Sequence, residues 1–584
     1  MKQSLETALH TALATLVTQG VIADPPSALQ IERVKQKQHG DFACNVAMIL
    51  AKQAGMPPRQ LAEQICQRLP AVDVVERVEI AGPGFINFYL VSATQQAVVQ
   101  TILQQRDHYG RSAAEKAKRI HLEFVSANPT GPLHVGHGRG AAHGSALANL
   151  LRAVGHDVHC EYYVNDAGRQ MDILAMSVWC RYLALAGEAV ALPSNGYQGE
   201  YVIDIARQLY EQEGDRFCKT TLADWNNVVA DMDQTAEPEL CLDARIAYAK
   251  HTLAADYALL HAFGLQSVIA DIKTDLADFQ VDYQMWFSEQ SLMDDGALAE
   301  ALQRLQAAYF LYEKNGAQWF RSTQFGDDKD RVVVRDNGQT TYFASDAAYM
   351  LNKFSRGFDE IICVFGADHH GYVPRLQALM QAFGLAVERM VVPLVQFAVL
   401  YRGGEQVQMS TRSGSFVTLR ELREEVGTDA ARLFYLMRRC EQHLDFDLDL
   451  AKSKSNENPV YYIQYAHARI CSVFDQLAEK GYDYDAAVGL TQLELLTQPQ
   501  EIDLLSQLAK YPELIQHAAA KHEPHLLVYY LKELATIFHG YYNQQVFLVD
   551  DATIRQVRLC LIDAVRQVLS NGLDLLGVSA PDRM

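Results

Sequence analysis

Apolar positions along the chain change their period several times, and each change marks an expected element boundary. The opening stretch MKQSLETALHTALATLVTQG spaces its apolar residues as a helix does and carries Glu6 among them. That predicts an amphipathic helix and not the unbroken apolar centre of a signal peptide. Residues 1–110 then mix helical stretches with strand-like runs, notably VKQKQHGDFACNVAMILAK from Val34 and VERVEIAGPGFINFYL ending at Leu90, which predict a small α/β domain. A linker rich in Lys and Arg, Arg111 to Arg119, leads into IHLEFVS, which reads as a buried strand. In NPTGPLHVGHGRGAAHGSALANLLRAVGH turn residues give way to small residues and then to helical spacing. Strand, loop and helix in that order are the layout of a nucleotide site.

The stretch from about Asp172 to Asp328 is mainly helical and acidic and reads as a helical or mixed insertion, with MWFSEQSLMDDG as a patch carrying no legible chemistry. Strand signals return at DRVVVRDNGQTTYFAS, EIICVFGADHH and VVPLVQFAVLY, the expected second half of a parallel sheet. From about Ser455 the pattern is almost wholly helical, from NENPVYYIQYAHARICSVF to LLGVSAPDRM. The expected organisation is therefore a small α/β domain over 1–110, a Rossmann-like parallel-sheet domain over 111–455 interrupted at about 172–328, and an all-helical domain over 456–584. Neither an internal repeat nor a low-complexity tract is visible.

Composition narrows the class. A chain of 584 residues, 49% hydrophobic and 21% charged, has the means to bury several cores and is no disordered segment. A net charge of −20 argues against a generic nucleic-acid coat, so any RNA contact must be local and shape-selective. The ten cysteines are scattered singly with no CxxC pair, which indicates neither a zinc ribbon nor a disulfide framework. No apolar run approaches the roughly 18 residues of a membrane span. The expectation is a soluble cytoplasmic protein without zinc or an organic cofactor.

Candidate chemistry begins at His134-Val135-Gly136-His137, two imidazoles around a Gly where a strand passes to a helix N-terminus. Such a place suits phosphate, because free N–H groups and partial positive charge gather there and histidines can donate to phosphoryl oxygens. The Gly would let a flat adenine lie against the backbone. Taken alone, the tetrapeptide is more often a turn whose histidines satisfy local carbonyls. The whole block Glu123 to Gly140, EFVSANPTGPLHVGHGRG, however, resembles the first signature of the arginyl-tRNA synthetases, class I enzymes, with the motif running Ala127, Asn128, Pro129, Thr130, Gly131, Pro132, Leu133, His134, Val135, Gly136, His137. Where that class carries its mobile Lys-Met-Ser-Lys loop, this chain has Gln408-Met409-Ser410-Thr411-Arg412-Ser413-Gly414. Neutral Gln408 and Thr411 fill both lysine positions, and Arg412 is the one cation in the loop.

The resemblance implies that His134, His137 and Arg412 serve the phosphates, and that Gly136, His137, Gly138, Asp368, Met409, Ser410 and Thr411 face ATP. It places Glu123, Tyr342 and Asp346 on the arginine side chain, Ser126, Asn128 and His134 near its α-amino or carboxylate end, and His369 on the same side. The spacing of Tyr342 and Asp346 lets them share one helical face; a solvent-facing turn is the alternative reading of that spacing alone. Asp368-His369-His370 lie in a Gly-bounded loop after a buried strand. A metal site is the rival reading there, but no further ligands stand at suitable spacing.

The family likeness extends over the whole chain, making the first domain an additional tRNA-binding domain and the last an anticodon-binding one. Lys35, Lys37 and Phe42, with His39 and Asp41, could meet an RNA backbone, or form a solvated loop before a core helix. Tyr461, Tyr465, Tyr541 and Tyr542 could stack on splayed bases, with Arg469, Arg566 and the terminal Met584 nearby, although most tyrosines on apolar helical stripes are core. The resemblance implies charging of tRNA(Arg) with L-arginine at the expense of ATP and Mg²⁺, by a monomer with no membrane partner. The rivals are a cysteinyl or glutamyl class I enzyme, an RNA-binding paralogue that has lost activation, and a small-substrate nucleotidylyltransferase. Cysteine recognition calls for a zinc site, and a glutamate pocket calls for cations where Glu123 and Asp346 stand.

Overall fold

The computed structural model describes residues 2–34, 39–188, 190–228, 238–407 and 417–584. They fall into two compact units, one comprising Met1–Tyr109, Ile470–Tyr511 and Thr536–Val568, the other Gly110–Arg469, Pro512–Ala535 and Leu569–Met584.

In the first unit the opening helix, Lys2–Thr18, buries Leu5, Leu9, Ala12, Leu13 and Leu16, the stripe that its period requires. They pack onto an antiparallel sheet ordered Ile31–Arg33, Phe42–Cys44, Phe85–Leu90, Val75–Ala81. Gly82 and Gly84, both at positive φ, make the hairpin turn between the last two strands, and a Cβ on Gly84 would stand 2.9 Å from the backbone of Pro58. C-terminal helices complete this unit: Tyr109 donates its hydroxyl to the carbonyl of Leu508 at 3.0 Å and stacks on Tyr511.

The second unit is built on a five-stranded parallel sheet ordered Met390–Val391, Glu360–Cys363, Arg119–Glu123, Asp157–Val164, Met285–Ser288. The chain starts in the middle, winds to one edge and then crosses to the other, so the order reverses between Arg119–Glu123 and Glu360–Cys363. In such doubly wound sheets ligands bind at that reversal, beyond the carboxyl ends of the strands. The loops leaving the two strands there carry the HVGH block and the Asp368-His369 segment. Ile120 and Leu122 are buried on one face and His121 and Glu123 on the other, as expected for a strand covered on both sides. The helix Val135–Ala153 comes close to the sheet because its inner face is made of small residues.

Three strands fall where the sequence pattern misleads, one of them Ala398–Arg402, which pairs with Glu405–Gln406 and Leu444–Asp447 in a separate three-stranded sheet. Met285–Ser288 is an edge strand of the parallel sheet although it lies inside the stretch expected to be an insertion. It is four residues long and follows the 24-residue helix Ala255–Asp278, so no period marks it. Arg331–Val334, expected in the parallel sheet, belongs instead to an antiparallel sheet with Ala317–Phe320 and Leu311–Lys314. Alternation of side chains specifies a half-buried strand but not its partner. The C-terminal region is helical as expected, with Pro459–Glu479, Pro499–Leu508, Tyr511–Lys521, His525–Gln544 and Ala552–Leu576 as its main helices. Among the described residues no single helix is long and apolar enough to cross a membrane.

Helix-to-sheet contact is tightest at Gly144, where a Cβ would lie 2.3 Å from the ring of Phe124. Gly144→Ala is therefore expected to destabilise this unit by about 1–3 kcal/mol despite the better helix propensity of alanine, seen as a lowered melting transition; an unchanged or raised transition would contradict this packing.

Candidate active site at the sheet reversal

After the strand Arg119–Glu123 the backbone turns through Val125 and Ser126, both non-glycine residues at positive φ. Strain of that kind persists only where neighbours over-determine it. Here the Ser126 hydroxyl donates to Glu123 Oε1 at 3.1 Å and accepts from the Tyr163 amide at 3.1 Å. Tyr162 donates to the Ala127 carbonyl at 2.8 Å and Tyr201 to that of Thr130 at 2.5 Å. Leu133 and Val135 are fully buried, which fixes the segment from below, while Asn128 stays exposed beside Asn165.

His134 is the N-cap of the helix Val135–Ala153, its Nδ1 accepting from the Gly136 amide at 3.0 Å; the His137 Nδ1 accepts in turn from the His134 amide at 3.2 Å. The rings stack with centroids 3.7 Å apart. Burial lowers the His134 pKa, and burial together with the neighbouring His134 pushes His137 down to about 3. Both rings are thus neutral near pH 7. Because each Nδ1 accepts a backbone N–H, the ring proton of each resides on Nε2, making both histidines donors at that atom. The helix N-terminus adds partial positive charge. A Cβ on Gly136 would stand 2.8 Å from the His134 ring and 3.0 Å from Phe397, so only glycine fits. Gly138, expected to face ATP, is instead buried, with Leu419 and Tyr435 within 2.8 Å of where its Cβ would be. Its role is close packing.

Beneath the helix Tyr342–Ser355 the register puts Glu123 between Glu161 and Cys363 on neighbouring strands. Two buried carboxylates side by side would repel each other, and the helix supplies their counter-charges. Lys353 Nζ lies 2.5 Å from Glu123 Oε2, and Arg356 meets both oxygens of Glu161 at 2.5 and 3.0 Å. Tyr349 donates to Glu161 at 2.6 Å, and His121 Nε2 lies 3.0 Å from it. Burial alone would raise Glu161, yet hydrogen bonds from His121 and Arg356 hold it well below the usual carboxylate range. Burial likewise opposes the Lys353 ammonium, while Cys363 and Glu123 around it keep it charged. Glu123, expected on the arginine side chain, is thus already neutralised by Lys353 and bonded to Ser126. It supports the site without offering a free carboxylate.

Asp346, by contrast, has no salt-bridge partner among the described residues. Tyr342 and Asp346 stand in the first turns of the same helix, Tyr342 half exposed. Asp346 Oδ2 is buried with no hydrogen-bond partner among the described residues. Burial pushes the carboxyl up to about 7 against a hydrogen bond with Tyr372, and the nearby Glu289 and Glu123 add to the rise. Glu289 is itself 2% exposed, raised by burial, and bonded to Ser345 and Tyr163. Two acids short of positive charge, walled by the rings of Tyr163 and Tyr372, make a site for a compact organic cation with several donors. Glu289, Lys353 and Tyr372 escape sequence reasoning; Glu289 stands at the carboxyl end of an edge strand whose existence the pattern conceals. Asp368 and His369 are exposed, 3.6 Å apart, in the 3₁₀ turn that leaves the sheet reversal.

The remaining expectations divide. Phe42 is fully buried in its sheet opposite Phe88, and Tyr541 is fully buried and donates to Glu501 at 2.8 Å. Neither can stack on a base; aromatic residues on apolar stripes were drawn into the core. Tyr461, Tyr465 and Arg469 share one face of Pro459–Glu479, the two rings 5.5 Å apart and the guanidinium 4.4 Å above Tyr465, and Met584 is exposed. Lys35, Lys37, Met409, Ser410, Thr411 and Arg412 lie outside the described residues.

A doubly wound sheet whose reversal holds a histidine-capped helix N-terminus, followed by a helical C-terminal region, defines a class I aminoacyl-tRNA synthetase. The family model for the class I (R) tRNA synthetase catalytic domain matches residues 98–183 and 230–442, that for the arginyl-tRNA synthetase N-terminal domain matches 2–90, and that for the DALR anticodon-binding domain matches 463–584. The chain belongs to the arginyl-tRNA synthetase family. It is 57% identical to an arginine–tRNA ligase of Thioalkalivibrio sulfidiphilus and 53% identical to one of Legionella pneumophila, each over 100% of both chains. In fold it is similar to the Thermus thermophilus arginyl-tRNA synthetase, with a TM-score of 0.75 at 22% identity over 100% of both chains.

Lys353→Met leaves Glu123 buried and unpaired and is expected to cost about 3–5 kcal/mol, with a large part regained in Lys353→Met combined with Glu123→Gln. Thermal melting of the variants checks this; equal losses in the single and double variants would break the pairing argument.

Proposed function

We infer that the chain is an arginine–tRNA ligase: it joins L-arginine to ATP as arginyl-adenylate with release of pyrophosphate, and passes the arginyl group to the terminal ribose of tRNA(Arg) with release of AMP. The observation that carries the arginine reading is Asp346, a buried carboxylate with an unpartnered oxygen beside Glu289 near the sheet reversal. Five guanidinium donors on a planar fork answer such a pair of acids. In this reading Asp346 and Glu289 take the guanidinium, Tyr342 lies along it, and Ser126, Asn128, His134 and His369 serve the α-amino and carboxylate end.

Chemistry needs little from the protein beyond position and charge. The arginine carboxylate oxygen attacks the α-phosphorus of ATP, the bond to the bridging oxygen breaks, and pyrophosphate leaves with the electron pair. His134 and His137, as Nε2–H donors at a helix N-terminus, stabilise the charge that develops on the phosphoryl oxygens without being charged beforehand. ATP enters with Mg²⁺ as substrate, Gly136, Asp368, Met409, Ser410 and Thr411 serve the nucleotide, and the guanidinium of Arg412 serves the leaving pyrophosphate. A ribose hydroxyl of the bound tRNA then attacks the arginyl carbonyl and displaces AMP.

Residues 1–110 and 456–584 are assigned to tRNA, with the half-buried stack of Tyr461, Tyr465 and Arg469 as the stacking platform for splayed bases, and the protein acts as a cytoplasmic monomer.

Aminoacylation of tRNA by the purified protein with each amino acid in turn tests the assignment. Arginine alone should be loaded; loading of another amino acid, or of none, would overturn it. Asp346→Asn should raise the KM for arginine far more than that for ATP. His137→Ala should lower kcat by on the order of 10²–10³ with a smaller change in either KM, and a loss confined to KM would remove the histidine from the transition state.

A further inference from the structure

The helices Glu200–Glu213 and Ala255–Asp278 enclose an elongated groove of about 820 Å³ that is separate from the arginine pocket. One wall is a single helical stripe, Glu200, Asp204, Gln208 and Gln212, each four residues from the last. At the helical rise that stripe runs about 18 Å. The opposite wall carries Asp271 and Asp275, with Phe263 and Val268 supplying apolar surface.

Charge in the groove is lopsided. Its lining holds Glu200, Asp204, Asp271 and Asp275 against the guanidinium of Arg420, which bonds Asp271 at 2.6 Å and Asp275 at 2.7 Å, with Arg423 behind the lining adding positive charge near Asp275. Asp204 also meets Arg207 at its outer edge. Arg420 reaches only Oδ1 of Asp275. Oδ2 of the same carboxylate is buried with no hydrogen-bond partner among the described residues, on a side chain 1% exposed that lines the groove. A buried carboxylate oxygen left unbonded costs free energy unless a donor arrives.

The geometry excludes two kinds of occupant. A divalent metal needs several oxygens converging on one point, and the acids that do converge here, Asp271 and Asp275, already share Arg420. A nucleic-acid backbone would meet repulsion. Acids spread along a groove with apolar and amide surface between them instead match a chain of methylenes interrupted by ammonium groups, whose stems bury while their charges pair. We propose that this groove binds a linear polyamine, one of whose ammonium groups bonds Asp275 while another reaches Asp204 and Glu200. The occupant would lie against Gly131 and Pro132 of the signature segment and against Thr418, which bridges to His134. The inference is independent of which amino acid the enzyme loads.

Isothermal titration of the full-length protein with spermidine at low ionic strength tests it. Wild type should bind one spermidine saturably, and Asp275→Asn should weaken binding roughly tenfold or more. Because Asp275 also holds Arg420, two variants on the outer helix, Glu200→Gln and Gln208→Lys, keep the test open should Asp275→Asn fail to fold. Both should keep the wild-type melting temperature and weaken binding, the lysine by filling the groove with its own ammonium. Absence of saturable binding, equal affinity in the folded variants, or displacement of spermidine by an equal concentration of Mg²⁺ would each overturn the proposal.

Discussion

Everything at the site depends on how two adjacent buried carboxylates are neutralised. Parallel pairing places Glu123 beside Glu161 on one face of the sheet, and in a low-dielectric interior such a pair is tolerable only with counter-charges in contact. Lys353 and Arg356 supply them from one helix, three residues apart, and so pin that helix in rotation and in height against the sheet. The same helix carries Tyr342 and Asp346 at its opposite end. Pinning its last turns therefore positions its first, where Asp346 stands beside Glu289 with no salt-bridge partner among the described residues. In the proposed reading the substrate supplies that partner.

A second constraint operates at the helix beginning with Val135. Its first amides are satisfied by the Nδ1 atoms of His134 and by a reciprocal contact from His137, an arrangement that caps the helix and sets the tautomer of both rings at once. Structural and proposed catalytic roles are therefore served by the same two rings through different atoms, Nδ1 for the backbone and Nε2 for the phosphate: replacing either ring removes both contacts. Burial keeps both imidazoles uncharged, so the field at the proposed phosphate site comes from the helix terminus and the N–H dipoles.

What could be read from the sequence follows from the range of each interaction. The HVGH block and the Tyr342–Asp346 pair are local, i to i+4 or closer; the helix start at HVGH was legible from the pattern, whereas for Tyr342 and Asp346 spacing left a solvent-facing turn open and only the family resemblance pointed to a site. The counter-charges of Glu123 and Glu161 come from more than two hundred residues or nearly so along the chain, and nothing in the local pattern distinguishes Lys353 from a surface lysine. The strand Met285–Ser288 was hidden by its shortness, and with it Glu289. Phe42, Tyr541 and Gly138 erred in the other direction: an aromatic or a glycine in a suggestive segment serves packing as readily as binding, and only tertiary burial decides.

In the proposed function Asp346 meets arginine as an uncompensated carboxyl. Its pKa near 7 in the free protein must fall when a guanidinium binds, because the cation favours the ionised form. Binding should then release a proton at about pH 6, where the free carboxyl is mostly protonated, and almost none at about pH 8.5, where it is already ionised. Calorimetric titration of arginine in buffers of different ionisation enthalpy measures that proton count directly. Close to one proton should be released at the lower pH and none in Asp346→Asn; a count that stays near zero at both pH values in the wild-type protein would remove Asp346 from the guanidinium.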